Sequence, residues 1–498
     1  MTRPAPGNVL FVTLDQLRAD VLRGALAAFC PTPNLDRLAA QSAVFTQHFA
    51  AAVPCGPSRA SLLTGLHAFN HRSIRNGTPL ARHHATVATE ARKLGHEPLL
   101  FGYTDATPDP TGMHTADPDL ESYEGVAPGF RELVEMRFDT GFEWLGWLKR
   151  LGYPTPRPLP ARIMDIYRPD GEGIDAPALY RAEHSDSAYL TDRVLEALDI
   201  RTDRPWFAHV AYLRPHPPLV APAPWNRLVD PAALPAPAVA RDAHPFRAAW
   251  ASAPTAFSLF HGFDGDCAAL TSAQIATLRA VYLGLAAEVD HHVGRLLDWL
   301  EATGQVDETL VIVTADHGEM LGDQGMWGKE SVLAPAHHVP LILRDPRRPG
   351  ARRIDALTSG VDLAPTMLDW LGGTPPPAMD GRSLLSFPDD AAPAAWRDAV
   401  LTELDLSDPR APTRFQTAWG LAETRCNAAV LRSAEWTYVH FNGGVPPMLF
   451  DRRADPDETR DLAPDPARRG TLLAMAQAML DLRMTRADRR LTGYAIGV

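Results

Sequence analysis

The sequence predicts an α/β fold, in which a mixed, mostly parallel sheet is flanked by helices and followed by a smaller C-terminal α+β domain. Two observations carry this prediction. Short apolar runs alternate with helical patterns up to about residue 385, and this alternation is typical of parallel sheets. Strand-like runs return near the end of the chain, at 436–441 and 448–450, which indicates a second, smaller sheet.

The predicted strands of the first sheet are short apolar runs. The first of them, 9–14, is typical of a strand that is buried on both faces. Further strands are predicted at 97–102, 206–213, 310–314 and 339–344. Polar residues follow several of these runs, at the strand end where sites form in open α/β sheets.

The predicted helices lie between these strands. One opens at 32–35 with apolar residues at helical spacing, and a second covers 86–94 and ends before a glycine. The longest helix pattern, 272–303, has an apolar stripe along one face. A further helix is predicted at 362–371, where two glycines follow it.

Two domains are expected. A catalytic α/β domain covers 1–388, a linker follows at 389–395, and a smaller sheet-containing domain covers 396–498. The segment 108–186 is rich in proline and aromatic residues and shows little periodicity. We interpret it as an insertion over the site or at a subunit contact.

Composition excludes several classes of function. The formal net charge is −12, which argues against a nucleic-acid-binding protein. The four cysteines are far apart and form no Cys-x-x-Cys pair, so neither a zinc site nor a disulfide framework is indicated. No secretory signal and no run long enough to span a membrane is visible, so we expect a cytoplasmic protein without a membrane partner.

The segment Cys55-Gly56-Pro57-Ser58-Arg59 is the strongest functional signal in the sequence. Pro57 suits the first turn of a helix, where its missing N–H costs nothing. Cys55 then lies at a helix N-terminus, where free N–H groups favour an anion or a reactive cysteine. A buried cysteine in a turn is the plainer alternative.

This segment matches the pattern Cys-x-Pro-Ser-Arg, and Leu-Leu-Thr-Gly follows it at 62–65. It resembles the type I sulfatases and the phosphonate monoester hydrolases of the alkaline phosphatase superfamily. The resemblance implies an alkaline-phosphatase-like sheet, oxidation of Cys55 to formylglycine, and a formylglycine-generating enzyme as the maturation partner. It also implies a homo-oligomer, with a tetramer as the expected state.

A metal site is expected where two distant strands end. Asp15 and Gln16 follow the first strand, and Asp316 and His317 follow a late one. The resemblance places these four side chains on one divalent ion, together with Cys55. Sulfatases typically present oxygen ligands suited to Ca²⁺, whereas an imidazole favours a transition metal, so Mn²⁺ is expected, with Fe²⁺, Zn²⁺ or Ca²⁺ as alternatives.

Further roles are carried over by resemblance, position by position. Arg59 is expected to hold the formylglycine side chain and counter its charge. His216 and Lys329 match the pair that binds the anion and protonates the leaving oxygen. Lys329 is one of three lysines in the chain, which otherwise uses arginine. The positions that match substrate contacts are Asn76, Tyr103 and Thr104.

The expected function is hydrolysis of small anionic esters, namely phosphonate monoesters and phosphodiesters, with sulfate esters as a weaker activity. By resemblance, hydrated formylglycine attacks with one hydroxyl, and the second hydroxyl collapses the adduct. An arylsulfatase is the first alternative. A two-metal phosphatase with unmodified Cys55 is the second, and it needs another cluster of Asp and His ligands. A catalytically inactive binding protein is the third.

Overall fold

The structure is a computed structural model that describes residues 7–139, 141–155, 163–201, 205–255, 257–387 and 392–488. The strands are β1 Asn8–Leu14, β2 Ala43–Phe49, β3 Ala52–Val53, β4 Pro98–Gly102, β5 Arg131–Glu135, β6 Phe207–Tyr212, β7 Thr309–Thr314, β8 Leu341–Arg344, β9 Arg352–Ser359, β10 Ala399–Asp405, β11 Asn427–Ser433, β12 Trp436–Phe441 and β13 Met448–Asp451. The α-helices are α1 Pro33–Ala39, α2 Cys55–Thr64, α3 Ala68–His71, α4 Val87–Lys93, α5 Phe142–Arg150, α6 Asp186–Asp199, α7 Pro245–Trp250, α8 Ser272–Ala302, α9 Ala334–His337, α10 Leu363–Trp370, α11 Arg414–Trp419 and α12 Arg469–Arg486.

The large sheet has eight strands in the order β5-β4-β6-β1-β7-β8-β2-β9. Strand β1 lies in its interior and runs parallel to both β6 and β7. Strand β8 is antiparallel to its two neighbours, β7 and β2. The predicted α/β class with a mixed, mostly parallel sheet is therefore confirmed.

The sheet separates two apolar cores because its central strands are buried on both faces. Leu10, Val12 and Leu14 of β1 belong to the core that contains α1, α6 and α8. The intervening Val9 and Phe11 face the core that contains α4, α10 and part of α2. This two-sided burial explains why the central strands are short runs of apolar residues without polar alternation.

The long helix α8 is well specified by local sequence. Thr271 and Gln274 form a capping box at its N-terminus, where each side chain accepts from the other residue's backbone N–H. Gly284, in its middle, lets the Trp225 carbonyl approach closely, since a Cβ atom there would lie 2.0 Å from that oxygen. The helix therefore covers the sheet and also holds the 225–227 turn.

The smaller sheet has five strands in the order β13-β12-β11-β10-β3. Its strands are antiparallel except β3, which runs parallel to β10. Strand β3 comes from the N-terminal part of the chain and ends directly before Pro54 and Cys55. The second sheet therefore reaches back to the segment that carries the strongest sequence motif.

The domain boundaries stay a prediction. The first three residues of the predicted linker, 389–391, lie outside the described part of the chain. Arg397, just after the linker, makes two 2.6 Å hydrogen bonds to the buried carboxylate of Asp362 at the start of α10. The segment 108–186, predicted to be an insertion, contains the edge strand β5 and helix α5.

No helix within the described ranges combines the length and the apolar character that a membrane span requires.

Candidate active site

The site lies at the carboxyl ends of β1 and β7, which are neighbours in the sheet. Asp15 directly follows β1, and Asp316 and His317 follow β7 after one intervening alanine. Cys55 approaches the same edge from the start of α2. One ligand atom from each of these four buried side chains lies within 4.8 Å of the others. The structure thus brings together residues that are about 300 positions apart in sequence.

Cys55 is the first residue of α2, and its side chain is buried. Its Sγ atom lies 3.2 Å from Nε2 of His317. The other ring nitrogen, Nδ1, lies 3.0 Å from the Gly318 carbonyl and must donate to it, so Nε2 carries the lone pair. Burial raises the pKa of the Cys55 thiol, and Asp15 raises it further. An unmodified thiol here is therefore neutral and weakly nucleophilic.

Arg59, one helical turn after Cys55, holds the two aspartates. Its Nε atom donates to Oδ2 of Asp316 at 2.8 Å, and Nη2 donates to Oδ2 of Asp15 at 3.3 Å. Its third nitrogen donates to the Tyr103 carbonyl at 2.9 Å, and the guanidinium lies 3.9 Å from the centre of the Tyr103 ring. Every nitrogen of this buried side chain is therefore engaged, and both carboxylates are oriented by one cation.

The arrangement fits a divalent metal ion. Oδ1 of Asp15 is buried and has no hydrogen-bond partner among the described residues. Burial raises the pKa of Asp15, and the neighbouring Asp316 raises it further. Burial also lowers the pKa of His317 to about 4, which leaves the imidazole neutral. Two carboxylates and a neutral imidazole are a donor set for such a cation, whose charge would offset the repulsion between the acids.

Gln16 is fixed by contacts in three directions. Its backbone N–H donates to Oδ1 of Asp316 at 3.1 Å, and its side-chain amide N–H donates to the carboxylate of Glu319. Its side-chain oxygen accepts from Nζ of Lys329 at 3.0 Å. Gln16 has a φ of +68°, which turns its backbone sharply at the end of β1. The structure places Gln16 beside the cluster, and its role as a metal ligand stays a prediction.

Lys329 and His216 form a hydrogen-bonded pair at the site. Nζ of Lys329 lies 2.7 Å from Nε2 of His216, whose Nδ1–H donates to the Pro217 carbonyl at 2.5 Å. Burial lowers the pKa of His216 well below its ordinary value, and the Lys329 charge lowers it further. The proton of the pair therefore resides on Lys329. Arg214 holds the turn, because it donates to the carbonyls of His216 and Pro218, each at 2.9 Å.

The three predicted substrate-contacting residues differ in their placement. Asn76 accepts from the backbone N–H of Gly56 at 2.9 Å, and the Tyr103 hydroxyl donates to Asp15. The Thr104 hydroxyl is engaged with backbone, because it donates to the Gly125 carbonyl at 2.9 Å and accepts from the Ala127 N–H at 2.8 Å. Asn76 and Tyr103 thus lie beside the cluster, whereas the Thr104 side chain is directed to another loop. Their roles in substrate binding stay predictions.

Glu319 was not predicted to be a site residue. Its buried carboxylate accepts from the side chain of Gln16 and from the backbone N–H groups of Leu321 and Gly328. It therefore joins Gln16 to the turn that carries Lys329. Its position in the run Asp316-His317-Gly318-Glu319 was the available signal, but that run does not show that the acid is buried.

Asp105 was also not predicted to be a site residue. It follows Tyr103 and Thr104 beyond the end of β4, has a φ of +49°, and is 3% exposed. Its Oδ1 atom has no hydrogen-bond partner in the described part of the chain. Burial raises the pKa of Asp105 to about 6, although the Arg59 charge opposes the shift. Its place directly after Tyr103 and Thr104 was the available signal, but an aspartate after a strand is common in turns.

Comparison with protein families gives two matches. The family model described as Sulfatase matches residues 7–373. A second, described as N-sulphoglucosamine sulphohydrolase, C-terminal, matches residues 322–485. The first match contains every residue of the cluster and both members of the Lys329–His216 pair.

Comparison with individual proteins gives similarity over nearly the full length. A phosphonate monoester hydrolase from Silicibacter pomeroyi has a TM-score of 0.93 and 45% identity, with 98% of this chain and 97% of that chain covered. The phosphonate monoester hydrolase of Agrobacterium radiobacter has a TM-score of 0.89 and 39% identity, with the same coverage of 98% and 97%. A multifunctional alkaline phosphatase superfamily protein of Trinickia caryophylli is 38% identical, over 98% of this chain and 97% of its own length.

The contacts of Glu319 generate a prediction. We expect Glu319→Gln to lower kcat/KM for an aryl phosphonate monoester about 10- to 100-fold, the usual cost of losing an outer-shell partner. The amide keeps the shape of the side chain but cannot accept from all three donors. Steady-state kinetics and the melting temperature would be measured together, with the exposed Glu172→Gln as the control for a lost carboxylate. Unchanged kinetics in a folded Glu319→Gln variant would contradict a role for Glu319 in positioning Gln16 and the turn that carries Lys329.

Proposed function

The chain belongs to the sulfatase family, and from this premise we propose that it is a metal- and formylglycine-dependent hydrolase of phosphonate monoesters and phosphodiesters. The observation that carries the proposal is the buried group Asp15, Cys55, Asp316 and His317 beside the Lys329–His216 pair. It combines a nucleophile position, a metal-ligand set and a proton donor. Two solved relatives with 45% and 39% identity are phosphonate monoester hydrolases, which supports the same substrate class here.

Formylglycine at position 55 is part of the proposal. The motif around Cys55 supports it, and so does the burial that keeps an unmodified thiol neutral. At this position the hydrated aldehyde would supply two hydroxyls on one carbon, one as the nucleophile and one for release of the acid. A formylglycine-generating enzyme is then needed for maturation.

A single divalent ion is the second part of the proposal. Asp15, Asp316 and His317 would hold it together with Gln16 and the side chain at position 55. Three oxygen ligands and one nitrogen favour Mn²⁺, Fe²⁺ or Zn²⁺ over Ca²⁺, and we propose Mn²⁺. When bound, such an ion lowers the pKa of a hydroxyl and stabilises charge on the oxygens of the ester.

The orientation of the site and the proton for the leaving oxygen depend on side chains of the chain itself. Arg59 orients Asp15 and Asp316, and Asn76 orients the first turn of α2 through the Gly56 N–H. Lys329 carries the proton of its pair with His216, so it is the proposed donor to the leaving oxygen. The Phe138 ring packs 4.5 Å from the His216 ring and shields this pair on one side.

The number of cationic groups in the site limits the negative charge that a bound substrate can carry. Phosphonate monoesters, phosphodiesters and sulfate monoesters carry one negative charge, whereas phosphate monoesters carry up to two near neutral pH. The described residues contain one candidate metal cluster and no second one. A single metal clamps one side of the displacement, and two can stabilise both the attacking and the leaving oxygen. We therefore propose a preference for singly charged esters.

An arylsulfatase is the second candidate function. The sulfatase family model over residues 7–373 supports it. Gln16 and His317 depart from the residues typical of sulfatases at these positions, and His317 supplies nitrogen in place of oxygen, so we propose sulfate ester hydrolysis as the weaker activity. A two-metal phosphatase needs a second cluster of metal ligands, and the described ranges contain none.

The tetramer and the cytoplasmic location also remain proposals.

The nucleophile generates a prediction. When the protein is produced with a formylglycine-generating enzyme, peptide mass spectrometry is expected to show loss of sulfur at Cys55 and at no other cysteine. Cys55→Ala is expected to be almost inactive, because no hydroxyl remains to attack. The buried Cys426→Ala serves as the control and is expected to keep its activity. Full activity in protein that contains only unmodified Cys55 would refute the formylglycine proposal.

The metal generates a separate prediction. Dialysis against a chelator is expected to abolish activity, and Mn²⁺ is expected to restore it better than Ca²⁺ because His317 supplies a nitrogen ligand. Elemental analysis of the active enzyme would be run beside the kinetic assay. Active enzyme that contains only Ca²⁺ would overturn the ligand assignment.

The substrate class is tested by comparing kcat/KM for four esters with the same aryl leaving group. We expect the phosphonate monoester and the phosphodiester to lead, the sulfate monoester to be slower, and the phosphate monoester to be slowest. The number of charges that one metal and the nearby cations can balance disfavours the phosphate monoester, and the departures at Gln16 and His317 from the sulfatase pattern disfavour the sulfate. If the aryl sulfate leads by tenfold or more, about 1.4 kcal/mol in transition-state binding, the arylsulfatase alternative is preferred.

A further inference from the structure

Asp105 lies in the wall of the site, next to the start of α2. Its backbone carbonyl lies 3.2 Å from the position that a Cβ atom on Gly56 would occupy, and the Asn76 side-chain oxygen lies 3.1 Å from the same point. Gly56 directly follows Cys55. Asp105 and Asn76 therefore border the same glycine, beside the nucleophile position and on the same side of it.

The carboxylate of Asp105 differs from the other two acids of the site in having no cation of its own. Asp15 and Asp316 are each bonded to Arg59. The third Arg59 nitrogen is used by a backbone carbonyl, and the Lys329 ammonium is directed to Gln16 and His216. Oδ1 of Asp105 is buried and has no partner among the described residues, although the side chain is 3% exposed.

Asp105 still acts on the charges of the site. Its buried carboxylate belongs to the residue whose backbone carbonyl borders Gly56, next to the nucleophile position. Its charge also helps to keep the Arg59 guanidinium protonated. A charge that acts on the nucleophile position also acts on an anion bound there.

We propose that Asp105 is a specificity-determining residue, whose unpaired carboxylate rejects doubly charged esters and so restricts the site to substrates with one negative charge. The inference rests on the proposed function, since it assumes that the ester binds beside Cys55. The Asp105 carboxylate would repel a second negative charge on the ester, whereas the metal and the cations attract the ester. Specificity often depends on such an element, because attraction alone would also favour a dianion.

The physical reason is the cost of placing like charges together in a buried site. A phosphonate monoester or a phosphodiester can direct an uncharged substituent on phosphorus toward Asp105, whereas the three non-bridging oxygens of a fully ionised phosphate monoester share two negative charges. Repulsion at close range is several times stronger in a partly buried site than in water. Removing the charge at position 105 is therefore expected to favour the dianion selectively.

The test uses the metal-loaded, matured enzyme and Asp105→Asn. Asparagine keeps the size of the side chain and tolerates the positive φ at this position. The quantity compared is the ratio of kcat/KM for 4-nitrophenyl phosphate to kcat/KM for a 4-nitrophenyl phosphonate monoester, near pH 8. We expect this ratio to rise about tenfold or more in Asp105→Asn. The exposed Glu121→Gln removes one charge from the same segment and is expected to leave the ratio unchanged.

A binding measurement makes the result independent of turnover. Calorimetric titration with inorganic phosphate, mainly a dianion near pH 8, is expected to give tighter binding to Asp105→Asn than to the unsubstituted protein. If the unsubstituted enzyme cleaves none of the esters, the proposed function fails, and the phosphate titration still decides the role of Asp105. A ratio and a phosphate affinity that both stay within about twofold of the unsubstituted protein, in a folded Asp105→Asn variant, would overturn the inference.

Discussion

The structure of the site depends on one constraint, which is that Asp15 and Asp316 are buried side by side. Two carboxylates without solvent repel each other and lose their hydration. Arg59 offsets part of this cost by bonding to both of them, and the neutral imidazole of His317 adds no further charge. Oδ1 of Asp15 has no hydrogen-bond partner in the described part of the chain, so this compensation leaves one buried carboxylate oxygen unsatisfied. The geometry is therefore consistent with a metal site whose two carboxylates are held by Arg59.

Lys329 is connected to the two buried aspartates through Gln16. Its backbone bonds to Asp316, its amide nitrogen bonds to Glu319, and its amide oxygen accepts from Lys329. Glu319 also holds the Gly328 N–H, so the turn before Lys329 is fixed by the same carboxylate. One chain of hydrogen bonds thus connects the proposed metal ligands to Lys329, the proposed proton donor. Displacement of Gln16 would therefore disturb both Asp316 and Lys329.

Much of this site could be predicted from sequence, because strand ends and helix starts are local signals. The apolar runs before Asp15 and Asp316 predicted two strands, and Pro57 predicted the start of a helix after Cys55. The family resemblance predicted that the two strand ends meet. Strands β2 and β9 were not predicted, since both include half-exposed polar residues and lack a continuous apolar run. The direction of the Thr104 side chain and the burial of Glu319 and Asp105 depend on loops that pack from elsewhere. Such features arise from tertiary contacts, which no local pattern encodes.

The position of Cys55 depends on both sheets. Strands β1 and β7 position the proposed metal ligands, but the backbone just before Cys55 belongs to the smaller sheet through the pairing of β3 with β10. The Glu403 N–H donates to the Ala51 carbonyl at 3.0 Å, and the Thr402 hydroxyl donates to the Ala50 carbonyl at 2.7 Å. The C-terminal sheet therefore fixes the approach of α2 to the site. Because of this, the smaller sheet is a structural part of the candidate active site, although none of its own residues belongs to the metal-ligand cluster.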